Sequence, residues 1–168
     1  MMEITIRLAK PADAPDMAEV IIRSWEAAYR GIVPDDYIWE KNATRLEFYQ
    51  RTITDENKTF YVIQADGSTV GVMSFGEPGD ETKRASLHEL WSLYLHPERQ
   101  RRGIGTQAMD FVLAEARRLG KKELLVWVLE DNVNAIKFYT KCGFSPDGGE
   151  RFWEYGKRLR GISMRREI

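Results

Sequence analysis

The apolar positions in the first third of the chain predict one strand followed by helices. Ile4–Leu8 alternates apolar and polar residues, which is typical of a half-buried strand. From Met17 to Ala28 the apolar residues recur at helical spacing, and Asp13 stands where a residue that caps this helix is expected. A second helical stretch is predicted around Arg45–Tyr49.

The pattern changes to that of strands in the middle of the chain. Thr59–Ala65 and Ser68–Gly76 are β-rich runs, and the pair Asp66-Gly67 between them favours a hairpin turn. Ser86–His96 is a third such run and ends at a proline. We therefore expect three consecutive strands in this part of the chain.

The second half of the chain alternates helices with strands. An amphipathic helix is predicted from Ile104 to Leu119, with Gly120 as its stop. Leu124–Leu129 is a continuous apolar run, as expected for a strand covered on both faces, and Asn132–Cys142 is predicted to be a short helix. Two late strands are predicted at Arg151–Lys157 and Ile162–Arg166.

This order of elements predicts an α/β fold with a mixed sheet and helices on both of its faces. The sequence contains no internal repeat, low-complexity tract or Ser/Gly linker. Residues 1–168 are therefore expected to form a single domain.

Composition limits the classes of protein to which the chain can belong. Hydrophobic residues make up 43% of the sequence and charged residues 30%, which is the balance of a soluble globular protein. The start lacks the apolar core of a secretion signal, and no apolar run approaches the roughly 20 residues of a membrane helix. We expect a cytoplasmic protein without a membrane partner. With one cysteine and two histidines, no internal disulfide can form and no metal site is expected.

The net charge of −1 does not favour nucleic acid as a partner, because nucleic-acid-binding proteins usually carry a basic face. The tightest basic cluster is Arg99, Arg101 and Arg102. Such a cluster suits a small phosphate-bearing ligand as readily as a nucleic acid. The alternative interpretation is that the three arginines lie in an ordinary solvated turn.

Gln100–Thr106 has the features of an anion-binding loop. Gly103 and Gly105 leave backbone N–H groups unshielded, and the helix predicted to start there adds a partial positive charge. The Gly-Lys-Ser/Thr ending of a Walker loop is absent. Ala108 stands at the third glycine position of the dinucleotide fingerprint, which also belongs after the first strand rather than the fourth. A helix start with glycines chosen only for the turn is the alternative.

A second motif follows downstream, with Asn132, Ala135, Tyr139 and the pair Gly143-Phe144 at fixed spacing. Together with Gln-x-x-Gly-x-Gly at residues 100–105, it resembles the paired motifs of the GCN5-related N-acetyltransferase (GNAT) family. The resemblance is close over residues 90–144 and loose elsewhere. It implies the GNAT fold, with a mostly antiparallel sheet of about seven strands. It also implies an enzyme that transfers acetyl from acetyl-CoA to a primary amine by direct attack in a ternary complex.

The resemblance implies a set of residues that bind acetyl-CoA, the co-substrate. Backbone N–H groups of the loop would hold its pyrophosphate, and the fourth strand would run beside its pantetheine arm. That strand would bulge and splay from the fifth to leave a slot for the thioester, where a backbone N–H polarises the acetyl carbonyl. The residues implied are Leu93, Tyr94, Leu95, Gln100, Arg101, Arg102, Gly103, Ile104, Gly105, Thr106, Asn132, Ala135 and Phe138.

Two residues are implied as catalytic. Tyr139 matches the residue that protonates the departing thiolate, and its alternative role is that of a core aromatic. Glu89 stands at the offset before the glycine loop where histone-type members place a glutamate base, and its alternative is an ordinary exposed glutamate. Strand alternation puts Glu89 on the face of Leu93 and Leu95, unless a bulge alters that parity. His88, which points the other way, is the fallback base.

Two further positions bear on the chemistry. Trp127 occupies the position from which another branch of the family supplies its glutamate, so that route is closed. No covalent acetyl-enzyme is implied, and Cys142 is expected to be a small buried residue of the helix end.

The acceptor is the least defined part of the prediction. Trp25 and Tyr29, followed by Gly31-Ile32-Val33-Pro34, resemble the opening of a bacterial subgroup that includes enzymes similar to polyamine acetyltransferases. The aromatic pair is the candidate substrate-binding site, where it could hold an alkylammonium, or it belongs to the core. Acidic loop residues would suit such a small cationic acceptor: Asp35, Asp36, Glu77, Asp80 and Glu81. An antibiotic and a protein N-terminus also stay open as acceptors.

Two other functions stay open. A non-catalytic acyl-CoA sensor module would keep the glycine loop and lose the acid, whereas a nucleotide-binding protein would need a magnesium-binding carboxylate near that loop. The resemblance also implies a candidate homodimer interface at Arg151–Arg166.

Overall fold

The computed structural model describes residues 1–79 and 83–168, within which seven strands and five α-helices follow one another. The strands are β1 (Ile4–Leu8), β2 (Tyr61–Ala65), β3 (Ser68–Gly76), β4 (Leu87–Leu95), β5 (Glu123–Leu129), β6 (Ser145–Glu154) and β7 (Arg158–Glu167). The helices are α1 (Ala14–Tyr29), α2 (Asp35–Ala43), α3 (Arg45–Thr52), α4 (Ile104–Arg118) and α5 (Val133–Lys141).

All of these strands belong to one sheet, in the order β1-β2-β3-β4-β5-β7-β6. Neighbouring strands are antiparallel except β4 and β5, which run parallel because the chain returns through α4 between them. One face, here called the α4 face, is covered by α4 and α5. The other, the α1 face, is covered by α1, α2 and α3. The predicted mixed α/β sheet with helices on both faces is confirmed.

Two elements differ from the sequence prediction. The pattern predicts no separate helix at Asp35–Ala43, since only Ile38 of this segment is buried and a helix is marked in sequence by an apolar stripe. β6 begins at Ser145 and not at Arg151. Its first residues are exposed and rich in glycine, so the strand is set by pairing with β7 and not by its own apolar pattern. Among the described helices, none combines the length and apolar character that a bilayer crossing requires.

The turn between β2 and β3 is the one that the sequence predicts. Asp66 and Gly67 have φ angles of 49° and 81°, and a type I′ turn requires positive φ at both central positions. The Asp66 carboxylate also accepts a hydrogen bond of 2.9 Å from the backbone of Glu3, which ties the turn to the start of the sheet.

Asp13 precedes the first residue of α1, as predicted, but its side chain makes no capping hydrogen bond to that helix. Its two oxygens instead accept bidentate hydrogen bonds of 2.8 and 2.9 Å from the Arg7 guanidinium. One oxygen also accepts a 2.7 Å bond from the backbone N–H of Lys10. The expected cap is therefore a clamp between β1 and the start of α1.

We expect Asp13→Asn to lower the melting temperature at neutral pH by a few degrees, because the paired carboxylate is lost. The Arg7 hydrogen bonds, followed by that from Lys10, hold the pKa of Asp13 below its usual value against the opposing effect of burial. A carboxyl with a lowered folded-state pKa stabilises the fold above its unfolded pKa, near 3.9, and this contribution is lost as the pH falls through the folded value. Thermal melts from pH 7 downwards should therefore show the two proteins converging in acid.

Asp16→Asn is the matched control, since Asp16 lies exposed in the first turn of the same helix. If the difference in melting temperature between wild type and Asp13→Asn stays constant down to the lowest pH, the ion-pair explanation is contradicted.

Candidate functional site

β4 and β5 separate half-way along their length. Their ladder begins at Leu87 and Glu123 and stops at Leu90 and Val126. Beyond that point β4 pairs only with β3, and β5 only with β7. The two strands therefore leave a slot whose walls are strand edges with backbone polar groups, and such edges can bind an extended ligand.

A bulge lies where the slot opens. Ser92 pairs with Ser74 and Leu90 with Phe75, which leaves Trp91 as an extra residue of β4. Leu90, Leu93 and Leu95 consequently all pack on the α4 face. Glu89, which adjoins Leu90, lies on the α1 face. The expectation that Glu89 shares a face with Leu93 and Leu95 is wrong, because one inserted residue reverses the alternation.

The glycine loop lies at the open end of the slot. Arg101 and Gly103 have φ angles of 60° and 79°, and Gly103 is the residue before the first turn of α4. Arg101, Arg102, Gly103 and Thr106 are exposed, so their polar groups are available to a ligand. Left-handed residues next to a helix start turn successive N–H groups towards one point, which makes an anion-binding concavity.

The inner side of the loop is held by apolar contacts. Ile104 and Gly105 are buried in the α4 face. A β-carbon on Gly105 would lie 3.1 Å from the Phe138 ring and 3.5 Å from Leu95, so the glycine permits a close approach of α4 to α5 and β4. The exposed Gln100 donates a side-chain hydrogen bond of 3.2 Å to the Leu95 carbonyl. The loop, β4 and α5 thus form one connected wall.

Asn132 caps α5. Its side-chain oxygen accepts a 3.2 Å hydrogen bond from the backbone N–H of Ala135, so the oxygen serves the helix. Ala135 and Phe138 are half-buried against the α4-face core, one and two turns further along. The structure thus brings Phe138 against the glycine loop near Leu95, and it places Asn132 at the start of α5.

Tyr139 is 8% exposed and packs edge-on between the rings of Phe138 and Phe144. Burial, followed by the nearby phenol of Tyr94, raises the pKa of Tyr139 above its usual value. Tyr94 belongs to the α1 face, whereas Tyr139 belongs to the α4 face. Tyr94 thus acts on Tyr139 across the separated strands, and the Tyr139 hydroxyl stays protonated at physiological pH.

Glu89 is 7% exposed, and burial raises the pKa of its carboxyl, while the charge of Arg151 and a hydrogen bond from the Gly79 backbone oppose this rise. It is therefore not the ordinary exposed glutamate of the alternative prediction. His88 adjoins it in β4 and faces the opposite side, where its ring lies 5.8 Å from that of Phe75. Burial lowers the pKa of His88. The structure places Glu89, and not His88, on the α1 face.

Trp25 and Tyr29 belong to an aromatic cluster on the α1 face. Their rings lie 4.7 Å apart, and Trp25 lies 5.7 Å from Tyr155 at the end of β6. Burial raises the pKa of Tyr29 well above its usual value, and Tyr94, Tyr155 and Tyr139 add to the rise. The phenols of Tyr94 and Tyr139 thus lie within electrostatic reach of Tyr29.

Sequence reasoning missed two arginines of this region. The Arg45 guanidinium carbon lies 4.4 Å from the centre of the Trp25 ring, and that of Arg151 lies 3.8 Å from the centre of the Trp127 ring. Arg45 was assigned only to a helix, and no local pattern marks it. Arg151 and Trp153 alternate in β6 and so face the same side, which is a signal that the strand prediction contained.

Of the acidic residues that would suit a cationic acceptor, the three that the structure describes are all exposed. Asp35 and Asp36 are exposed in the first turn of α2. Glu77 forms a 2.6 Å ion pair with Lys121, and this pairing lowers the pKa of Glu77. Asp80 and Glu81 lie outside the described residues.

The structure also contains shallow cavities away from the slot. One lies between α1, the β2–β3 hairpin and His96, and another between α4, the end of α5 and Arg166. Cys142 lines the second cavity, half-buried, where its carbonyl accepts a hydrogen bond from Arg166. In residues 1–79 and 83–168 no group of three or more His, Cys, Asp or Glu side chains is placed to hold a metal ion.

We expect Gly103→Ala to weaken coenzyme A binding roughly tenfold, the equivalent of one charge-assisted hydrogen bond. A β-carbon at Gly103 would meet nothing within 4 Å, so the strain is in the backbone, at about 1 kcal/mol for a left-handed residue. Relief of that strain would turn the loop N–H groups away from a common point. Titration calorimetry with coenzyme A measures the effect.

Gly67→Ala is the matched control, because Gly67 has a φ of 81° and equally open surroundings in a distant turn. It should lose similar stability and keep its affinity for coenzyme A. Equal affinities for both variants would show that the loop N–H groups do not hold the ligand.

Comparisons with known proteins agree with this geometry. The family model described as the acetyltransferase (GNAT) family matches residues 18–144. The chain is 33% identical to the uncharacterized N-acetyltransferase YuaI of Bacillus subtilis, over 96% of this chain and 91% of that protein. It is 29% identical to the spermidine N(1)-acetyltransferase of Thermoplasma acidophilum, over 87% and 91% of the two chains.

The crystal structure of the PaiA N-acetyltransferase from Thermoplasma acidophilum, in complex with coenzyme A, shares the fold. Its TM-score is 0.79, with 23% identity and 99% of each chain covered. The GNAT fold implied by the sequence motifs is thereby confirmed. The chain belongs to the acetyltransferase (GNAT) family, and the prediction that it is an acetyl-CoA-dependent acyltransferase is confirmed.

Proposed function

We propose that this protein transfers the acetyl group of acetyl-CoA directly to the primary amine of a small molecule. The observation that carries the proposal is the slot between β4 and β5, which has the glycine loop at its open end and Tyr139 and Glu89 on opposite faces. The whole chain, residues 1–168, would act as a single N-acetyltransferase domain.

The residues around the slot fit acetyl-CoA. Backbone N–H groups from Gln100 to Gly105 would bind the pyrophosphate, with help from the Thr106 hydroxyl and the charges of Arg101 and Arg102. The free edge of β4 at Leu93–Leu95 would pair with the amides of the pantetheine arm. Ala135 and Phe138 would form the apolar wall against which that arm packs.

Each proton of the reaction has a candidate residue. The amine nitrogen attacks the thioester carbonyl carbon, and Glu89 takes a proton from the amine, directly or through one water. A backbone N–H of β4 stabilises the oxyanion of the tetrahedral intermediate. When the C–S bond breaks, the Tyr139 hydroxyl gives its proton to the leaving thiolate. Solvent then reprotonates Tyr139, and Glu89 returns its proton to water.

The acceptor would lie on the α1 face, between the aromatic cluster and Glu89. A similar protein is named for spermidine, and Trp25 and Tyr29 could hold an alkylammonium, so a polyamine is one candidate. A protein N-terminus is another. Cytoplasmic location and a homodimer formed through residues 151–166 stay predictions.

A non-catalytic acyl-CoA sensor is the second candidate function. It would need no ionisable residue beside the slot, whereas Tyr139 and Glu89 are both present there and both have a raised pKa. Residues with shifted pKa values in a cleft are typical of active sites, which favours the enzyme. The glycine loop alone would also suit a nucleotide, and competition by coenzyme A but not by ATP separates that reading.

A thiol-release assay tests the proposal. Acetyl-CoA is offered with polyamines, amino acids, aminoglycosides and short peptides, and a thermal-shift titration with acetyl-CoA runs in parallel. Acetyl transfer to any of these amines supports the proposed function. Stabilisation by acetyl-CoA without transfer to any amine would favour the sensor, and no stabilisation would contradict both.

A further inference from the structure

Unpaired hydrogen-bond donors collect on the α1 face. Among the described residues, the buried side-chain atoms without a partner there include Trp25 Nε1, Trp127 Nε1, and Arg45 Nε and Nη2. All four are donors, whereas Asn42 Oδ1 in α2 is a buried acceptor that also has no partner. Buried polar groups are nearly always paired, so a group of unpaired donors around one site indicates a ligand that brings acceptors.

Arg45 begins α3, and its guanidinium stacks on the indole of Trp25, 4.4 Å from the ring centre. In the described residues it forms neither an ion pair nor a hydrogen bond. Stacking on an indole orients the guanidinium plane and covers one side of it. A half-buried guanidinium held this way lacks the anion that normally accompanies a buried charge.

Arg151 repeats this arrangement on the other side of the site. Its guanidinium stacks 3.8 Å from the centre of the Trp127 ring and 5.9 Å from that of Trp153. Its charge reaches Glu89 and opposes the rise in the pKa of that carboxyl. In the part of the chain that the structure describes, it has no carboxylate within ion-pair distance.

Tyr155 connects the two arginines. Burial raises its pKa to about 12, with additions from Tyr94 and Tyr37, and the charges of Arg45 and Arg151 both oppose that rise. The ring of Tyr155 lies 5.7 Å from Trp25 and 5.9 Å from Trp153. Tyr155 thus lies within electrostatic reach of both arginines, and Glu89 lies within that of Arg151.

We propose that the amine acceptor also carries a carboxylate, as a free amino acid does, and that Arg45 and Arg151 bind this carboxylate. This inference rests on the proposed function and names its substrate class. Arginine binds carboxylates through paired N–H donors, and Trp25 Nε1 and Trp127 Nε1 add further donors. The carboxylate end lies at the arginines, which leaves the amine for Glu89 and the slot.

A polyamine fits this site less well. A fully protonated polyamine offers only donors and positive charge, so it would leave the buried donors unpaired and would meet two cations and one carboxylate. Like charges placed together in an interface oppose binding. The charge and the hydrogen-bonding type of the site thus select against the class suggested by the Trp25–Tyr29 motif alone.

Matched pairs of acceptors test the inference. Each L-amino acid of a panel is compared with the amine that its decarboxylation would give, such as lysine with cadaverine and phenylalanine with phenethylamine. For at least one pair, wild type should acetylate the amino acid with a kcat/KM at least tenfold higher than that of its amine. Arg45→Met should lower kcat/KM for the amino acid 10- to 100-fold, mainly through KM, the loss expected for a hydrogen-bonded charge pair. In the same variant, kcat/KM for the amine should change less than threefold.

Arg45→Lys keeps the positive charge and should therefore recover part of the preference for the amino acid over its amine. Arg151→Met should lower this preference, as Arg45→Met does. Arg51→Met is the control, since Arg51 is exposed on the same helix. Thermal melts of all variants confirm folding. The inference would be overturned if, in wild type, kcat/KM for every amine equals that for its amino acid. It would also be overturned if neither Arg45→Met nor Arg151→Met changes the ratio of these two kcat/KM values.

A binding measurement separates this inference from the proposed function. Titration calorimetry of amino acids into the coenzyme A complex needs no turnover. Binding that weakens at least tenfold in Arg45→Met, without acetyl transfer to any amine, would support the carboxylate site and contradict the enzyme. Acetyl transfer to amines that neither arginine variant affects would support the enzyme and overturn the carboxylate site. If the protein shows no binding of amino acids and no acetyl transfer, both proposals are overturned.

Discussion

Tyr139→Phe should lower kcat at least 100-fold and leave the affinity for acetyl-CoA within about twofold, since general acid catalysis contributes 10²–10⁴ in rate. The phenylalanine keeps the ring that packs between Phe138 and Phe144, so the fold and the wall of the slot should stay intact. Only the hydroxyl that protonates the leaving thiolate is removed. Steady-state kinetics and calorimetry with acetyl-CoA measure the two quantities.

Tyr61→Phe is the matched control for this variant. Like Tyr139→Phe, this substitution removes only a hydroxyl. The centre of the Tyr61 ring lies 4.9 Å from that of the Phe75 ring, on which it stacks away from the slot. A kcat for Tyr139→Phe equal to that of Tyr61→Phe would show that Tyr139 is a core aromatic and that the thiolate finds its proton elsewhere. The raised pKa of Tyr139 also predicts that any loss of activity caused by its ionisation occurs above pH 10.

Glu89→Gln should lower kcat/KM at least 100-fold at neutral pH, with an unchanged affinity for acetyl-CoA. The glutamine keeps the size of the buried side chain and removes its ability to accept a proton. The effect should be smaller at high pH, where more of the amine is already unprotonated and needs the base less. Rates measured across pH for wild type and variant test this expectation.

The pH dependence has a defined sign. Glu89 must be ionised to act, so activity falls as the pH drops through its pKa, and burial raises that pKa above the ordinary range of a carboxyl. The acidic limb that Glu89 adds to the wild-type profile should therefore lie at a higher pH than for an exposed glutamate. Glu89→Gln should lose this limb and keep only the dependence on the ionisation of the amine.

His88→Gln serves as the comparison, because His88 is buried next to Glu89 on the opposite face. It should leave the shape of the profile unchanged. If Glu89→Gln keeps the wild-type profile and His88→Gln moves it, the assignment of the base is wrong.

The acceptor depends on both faces of the sheet. In the proposed mechanism Glu89 would supply the base on the α1 face and Tyr139 the acid on the α4 face, with the slot between β4 and β5 joining them. An acceptor held at Arg45 and Arg151 would approach the slot from the α1 face. The ligand specificity of this protein would thus reside in α1, α3 and β6, apart from the glycine loop.

Local sequence was sufficient for most of the elements, with α2 and the start of β6 as exceptions, and for the positions of the two motifs along the chain. The hairpin at Asp66-Gly67 was predictable because its conformation depends on two adjacent residues. The glycine loop and Tyr139 were predictable because their spacing within Gln100–Phe144 is fixed by a helix, a strand and a helix that follow one another. Such features depend on residues close together in the chain.

The tertiary structure alone decided the face of Glu89 and the surroundings of Arg45 and Arg151. The bulge at Trp91 arises from the pairing of β4 with β3, and one extra residue reverses the face of the residues after it. Arg45 and Arg151 are distant in sequence, and a row of ring contacts through Trp25, Tyr155 and Trp153 lies between them. No local pattern encodes this arrangement, because it depends on the contact of Trp25 in α1 with Tyr155, which follows β6.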